Sequence, residues 1–72
     1  MKNPNEHYVT ARNVINQYEY NDYETSNLAL AELKEKYPDA KIIKSDFHNL
    51  RKYWISVVIP LDKAGKVSYN LV

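Results

Sequence analysis

Two histidines, His7 and His48, are the side chains of this sequence that could exchange protons near neutral pH. His48 is followed closely by Arg51 and Lys52, and Asp46 precedes it by two residues. In a nuclease, a histidine can act as the general base while cations stabilise the phosphate. This grouping raises the hypothesis of a small ribonuclease-type toxin. A surface histidine near an aspartate is far more often incidental than catalytic, so this hypothesis ranks third.

Motifs that bind cofactors or metals are absent from the sequence. There is no cysteine, so no thiolate metal site and no disulfide can form. The single glycine excludes a glycine-rich phosphate loop. Neither histidine has a partner at metal-ligand spacing, such as four residues along a helix. We therefore predict a protein that is not an enzyme and that has no cofactor and no metal.

Basic residues near the middle of the chain give the second hypothesis, a nucleic-acid-binding module. Cations can follow phosphates, and the adjacent Tyr53 and Trp54 could stack on bases. The candidate nucleic-acid-binding residues are Lys41, Lys44, His48, Arg51 and Lys52. Two features weaken this hypothesis. Tyr53 and Trp54 point to opposite faces of a strand, and the net charge of the chain is only +1.

The leading hypothesis is an interaction protein, and it starts from the seven tyrosines of the sequence. A tyrosine ring with its polar tip suits a half-exposed binding surface, although an A/T-rich gene gives the same excess. A chain of 72 residues buries only about 60% of its unfolded surface, so a second copy or another partner would supplement the core. We predict a non-enzymatic protein that binds another macromolecule, with a protein as first choice and a homodimer as one form. The candidate partner-binding residues are Tyr18, Tyr20, Tyr23, Leu28 and Trp54.

A central strand over residues 50–60 is the element around which the fold is predicted, because this stretch is the richest in β-branched and apolar residues. Alternation places Trp54, Ser56 and Val58 on one face. The opposite, uniformly apolar face should meet the core, and it consists of Tyr53, Ile55, Val57 and Ile59.

The other elements are predicted on both sides of this strand. Strong helix formers indicate a helix over residues 25–37, capped by Asp22 or Thr25 and ended by Pro38. A second strand is predicted over 40–47. A final strand carrying Val67, Tyr69 and Leu71 follows a turn at Gly65.

Residues 8–20 fit two patterns, a strand and a short helical stripe. The asparagines disfavour a helix interior, so we predict a strand there and a flexible tail over 1–7.

These elements predict one α+β domain spanning residues 1–72. Its order is β-α-β-β-β, with a four-stranded, mostly antiparallel sheet and one helix packed on one face. No apolar run approaches the roughly 20 residues of a membrane span. The polar N-terminus lacks the apolar core of a signal peptide. We therefore expect a cytoplasmic protein that does not enter a membrane.

Overall fold

The computed structural model describes residues 3–61, which form one antiparallel sheet with a helix on one face. The elements in chain order are strands β1 (Glu6–Val9) and β2 (Asn13–Tyr20), helix α1 (Tyr23–Lys36), strand β3 (Lys41–Phe47), a 3₁₀ turn (His48–Leu50) and strand β4 (Lys52–Pro60). The spatial order of the strands is β1-β2-β4-β3, and each neighbouring pair is antiparallel. The predicted α+β class, with a four-stranded sheet and one packed helix, is confirmed. The order of elements over residues 3–61 is β-β-α-β-β, whereas the prediction was β-α-β-β-β.

Strand β4 lies in the middle of the sheet, and every one of its residues is at least partly buried. It pairs with β2 on one side and with β3 on the other. Its residues Tyr53, Ile55, Val57 and Ile59 are all buried, as their uniform apolarity predicts. They form the core with Val14 and Tyr18 of β2 and with the inward side of α1, which contributes Ala29 and Leu33.

The single strand predicted over residues 8–20 is wrong, because this segment folds as the hairpin of β1 and β2. Thr10 closes the turn: its hydroxyl donates to the Asn13 carbonyl oxygen at 3.0 Å and accepts from the Asn13 N–H at 2.9 Å. This local hydrogen bonding satisfies the backbone where the strand would otherwise continue. The predicted tail is also corrected, because Glu6 and His7 belong to β1. The predicted final strand at 67–71 lies outside the described residues.

Helix α1 begins slightly earlier than the predicted residue 25 and ends where Pro38 requires. Asp22 is the N-cap, and its Oδ2 accepts hydrogen bonds from both the backbone N–H and the hydroxyl of Thr25 at 2.8 Å. Tyr37 is the C-cap, and its N–H donates to the Leu33 carbonyl oxygen. The Asp22 N-cap therefore fixes the first turn of α1 over the end of β2.

The Asp22 cap gives a prediction about acid stability. Hydrogen bonds from the backbone and hydroxyl of Thr25 hold the pKa of Asp22 below its ordinary value. A lowered folded-state pKa means that the cap contributes stability above the unfolded pKa near 3.9. That stability disappears as the pH falls through the folded value. We expect Asp22→Ala to lower the urea midpoint at pH 7 and to converge with the wild type in acid.

The matched control for this variant is Asp22→Asn, which keeps an oxygen acceptor at the N-cap. Its urea midpoint at pH 7 should stay close to that of the wild type. An alanine variant as stable as the wild type at pH 7 would show that the cap does not stabilise α1.

Candidate functional site

The sheet face that points away from α1 carries three of the seven large hydrophobic side chains that are exposed among the described residues. We call it the open face and define it by six large side chains, which are Tyr8, Ile15, Ile43, Phe47, Trp54 and Val58. Tyr8, Ile43 and Phe47 are 46%, 45% and 44% exposed. The other three are partly buried between their neighbours. Single exposed apolar residues are common on proteins, but a shared face of this kind is less so.

Strand register brings the side chains of the open face together across all four strands. Tyr8 lies opposite Ile15, which in turn lies opposite Val58. Also on the open face, where β3 pairs with β4, Phe47 meets Trp54 edge to face, with ring centroids 5.1 Å apart and planes at 68°. The open face is therefore an ordered array of apolar groups and not a scatter of loop residues.

Charges at one end of the open face neutralise each other. Lys52 Nζ lies 2.8 Å from Glu19 Oε2 and also donates to Asn21 Oδ1 at 3.1 Å. Hydrogen bonds from Lys52, and then from Trp54, hold the pKa of Glu19 below its ordinary value. These contacts fix Trp54 beside a compensated ion pair, so this end of the face presents little net charge.

The five predicted partner-binding residues do not form one surface. Trp54 lies on the open face, whereas Leu28 is 69% exposed on α1, which packs against the opposite face of the sheet. Tyr18 and Tyr20 are buried in the core at 2% and 9% exposure. Tyr23 is exposed at the start of α1 and packs on the 3₁₀ turn. Of this set, Trp54 alone belongs to the open face.

Sequence reasoning missed Tyr8 as a surface residue of the sheet. In a continuous strand over 8–20, alternation would place Tyr8 on the same face as Val14 and Tyr18, which are buried. The turn after Val9 reverses the chain, and Tyr8 then pairs with Ile15 on the open face. Ile43 and Phe47 do have a signal in the sequence, because alternation along a strand over 40–47 puts both on one face.

Two lysines of the predicted nucleic-acid-binding set have carboxylate partners. Lys44 Nζ lies 2.6 Å from Asp46 Oδ1, and Lys52 is bound to Glu19. Lys41 is the first residue of β3 and lies six residues, or roughly 20 Å, from Phe47 at the other end of the strand. The structure therefore does not gather these charges into one cationic track. The nucleic-acid hypothesis stays a prediction.

His48 belongs to an aromatic cluster at the start of α1. Its Nδ1 lies 3.2 Å from the Tyr53 hydroxyl, and its ring centroid is 5.0 Å from that of Tyr23. Lys44 Nζ lies 4.5 Å from the centroid of the Tyr23 ring. Arg51 follows the 3₁₀ turn in a left-handed conformation with φ of 50°, which directs the chain into β4. These contacts tie the 3₁₀ turn to the helix, and Asp46 contacts Lys44 at this edge.

His7 packs at the other end of the sheet, where its Nδ1 lies 2.8 Å from the Oδ1 of the buried Asn16. This contact satisfies an amide that would be costly to bury without a partner. Within residues 3–61, no three acidic or histidine side chains converge into a group that could hold a metal ion. Helix α1, the one α-helix of more than a turn in that range, is too short and too polar to cross a membrane.

Comparison with known proteins adds no family to these observations. No protein-family model, no curated protein and no solved structure matches the chain.

Proposed function

We propose that this chain is a non-enzymatic protein-binding domain and that the open face is its interface. The observation that carries the proposal is the shared placement of Tyr8, Ile43 and Phe47, each nearly half exposed on the same side of the sheet. Aromatic and large aliphatic side chains supply most of the binding free energy at protein interfaces. Burying these groups against a partner would remove apolar surface from water.

The dimensions and charge of the open face indicate the size of the interface and the kind of surface that the partner would present. The four strands contain 28 residues in total. At about 4.8 Å by 3.4 Å per residue, they span roughly 450 Å² in projection. Doubled for the two partners, this area is smaller than a standard interface and is typical of a weak or transient complex. Glu19 and Lys52 neutralise each other within the chain. The expected partner is therefore a protein that presents an apolar surface with few charges.

A charge at the edge of the open face should weaken binding strongly. Tyr8 lies on β1, and Tyr8→Glu would place a carboxylate where the partner excludes water. We expect the affinity for the partner to fall at least about tenfold, which corresponds to about 1.4 kcal/mol. The measurement is calorimetric titration of a partner first captured on the wild-type protein and then purified.

Leu28→Glu is the matched control, because it introduces the same charge at an exposed leucine on α1, on the other side of the sheet. Its affinity should equal that of the wild type, and circular dichroism should show that both variants are folded. Loss of binding with Leu28→Glu but not with Tyr8→Glu would place the interface on the helix side. Capture that nuclease treatment abolishes would favour nucleic acid instead and contradict the proposal.

A further inference from the structure

Strand β3 forms an edge of the sheet that, among residues 3–61, pairs on one side only. Its seven residues pair with β4 without a bulge and include no proline. The opposite edge strand, β1, has only four residues. An extended edge exposes backbone N–H and C=O groups that can pair with another strand. Of the two edge strands in this part of the chain, β3 is therefore the longer one on which another strand could pair.

Lys44 at first argues against pairing at this edge. A lysine that points inward from an edge strand usually discourages a neighbouring strand, because pairing would desolvate its charge. Here Asp46 on the same strand lies 2.6 Å from the Lys44 ammonium group. The edge therefore carries one cation and one anion on the same face, two residues apart. When two copies of the strand pair about a two-fold axis, the lysine of each copy can lie opposite the aspartate of the other.

We propose that β3 pairs antiparallel with β3 of a second copy about a two-fold axis at Ser45. In this register Ile43 lies opposite Phe47 of the second copy, and Lys44 lies opposite Asp46 of the second copy. Both pairs occur twice by symmetry. Aliphatic-aromatic pairs and opposite charges directly across an antiparallel ladder are each stabilising. Antiparallel pairing of one strand with its own copy is the isologous contact of a closed dimer.

The neighbouring registers are less favourable because they place like charges together. An axis at Lys44 opposes the two copies of Lys44, and an axis at Asp46 opposes the two copies of Asp46. Like charges directly opposite each other destabilise a ladder. Of these three registers, the one centred on Ser45 is alone in matching each charge with its opposite.

This dimer has a consequence beyond the proposed function. A two-fold axis perpendicular to the sheet joins two four-stranded sheets into one sheet of eight strands. Both helices then lie on one side, and both open faces lie on the other. The dimer would present a continuous apolar surface about twice as wide as that of one copy. It could bind a partner with two equivalent sites.

Disulfide cross-linking tests the register, because the natural sequence has no cysteine. Ser45→Cys places two thiols directly opposite each other at the axis, and oxidation should link most of the protein into dimers. Ile43→Cys is the matched control on the same face of the same strand. Its two thiols would be offset by four residues, or about 13 Å, which exceeds the reach of a disulfide. A mixture of Ile43→Cys with Phe47→Cys should link again.

The mass of the unmodified protein, measured by light scattering over a range of concentrations, should approach that of a dimer. A monomer at every concentration would overturn the proposal, as would Ser45→Cys linking no better than Ile43→Cys. A dimer that Tyr8→Glu dissociates would place self-association on the open face and also overturn it. Neither measurement uses the partner of the proposed function. Failure of the β3 dimer and failure of partner binding are therefore separate results.

Discussion

Replacing Leu33 with alanine should lower the free energy of unfolding by about 3 kcal/mol, within the range for a buried leucine. Leu33 lies on the inward side of α1, is fully buried and belongs to the core formed with β2 and β4. Alanine would remove apolar contacts and leave a cavity between helix and sheet. A chain of 72 residues has a total stability of only about 4–11 kcal/mol. After this loss the variant should retain only about 1–8 kcal/mol, and its urea midpoint should fall well below that of the wild type.

Leu28→Ala is the matched control, because it is the same substitution on the same helix at an exposed position. Its free energy of unfolding should change by no more than about 0.5 kcal/mol. Urea unfolding followed by circular dichroism measures both variants. Similar losses at the two positions would mean that α1 does not face the sheet through Leu33.

Alkaline pH should destabilise the protein through two buried tyrosines. Burial, followed by the neighbouring Tyr37, raises the pKa of Tyr18 above its ordinary value. Burial and the nearby carboxylate of Glu32 raise the pKa of Tyr20 as well. The unfolded chain loses these protons near pH 10, before the folded chain does. The stability from the neutral phenols is thus complete below about pH 10 and is lost as the pH rises further.

The size of this effect is limited by the linkage between proton binding and folding. Each phenol that ionises only in the unfolded chain costs up to about 1.4 kcal/mol per pH unit. Urea unfolding at intervals from pH 8 to pH 11.5 should show a steep fall above pH 10. Tyr18→Phe should have a constant offset from the wild type below pH 9 and a shallower fall above pH 10. Parallel curves for the two proteins over the whole range would contradict the buried position of the Tyr18 hydroxyl.

Strong periodicity in the sequence predicted the central strand and the helix. Strict alternation over 53–59 identifies the buried face of β4, because each step along a strand reverses the side chain. The helix stripe through Ser26, Ala29 and Leu33 is equally clear, and these three residues are the buried ones of α1. Both signals depend on many residues at once. An error of one or two residues in where an element begins or ends therefore does not change which face is predicted to be buried.

The hairpin of β1 and β2 could not be predicted in the same way. Its turn contains neither glycine nor proline and is closed by the hydroxyl of Thr10, whose hydrogen bonds depend on the folded backbone. In this hairpin Tyr8 pairs with Ile15, so the turn moves Tyr8 to the face opposite the one that a continuous strand would give it. The sequence pattern therefore does not predict that Tyr8 belongs to the open face.

The locations of the tyrosines were hidden for a different reason. A tyrosine suits either a half-exposed surface or a core position where its hydroxyl finds a partner. Tyr18 has such a partner in Tyr37, which follows it by 19 positions in the chain. Sequence pattern does not show a contact across that separation. Composition alone could therefore not distinguish the buried Tyr18 and Tyr20 from the exposed Tyr8 and Tyr23.

Site-specific photo-cross-linking tests the proposed interface most directly. A benzophenone amino acid would replace Tyr8 on the open face or Leu28 on α1, one position at a time, in the cells from which the sequence comes. We predict that the Tyr8 position yields a covalent adduct with one protein and that the Leu28 position does not. The adduct should disappear when an excess of purified wild-type protein competes in the lysate. Adducts from Leu28 alone, or from neither position, would contradict the proposal that the open face binds a protein.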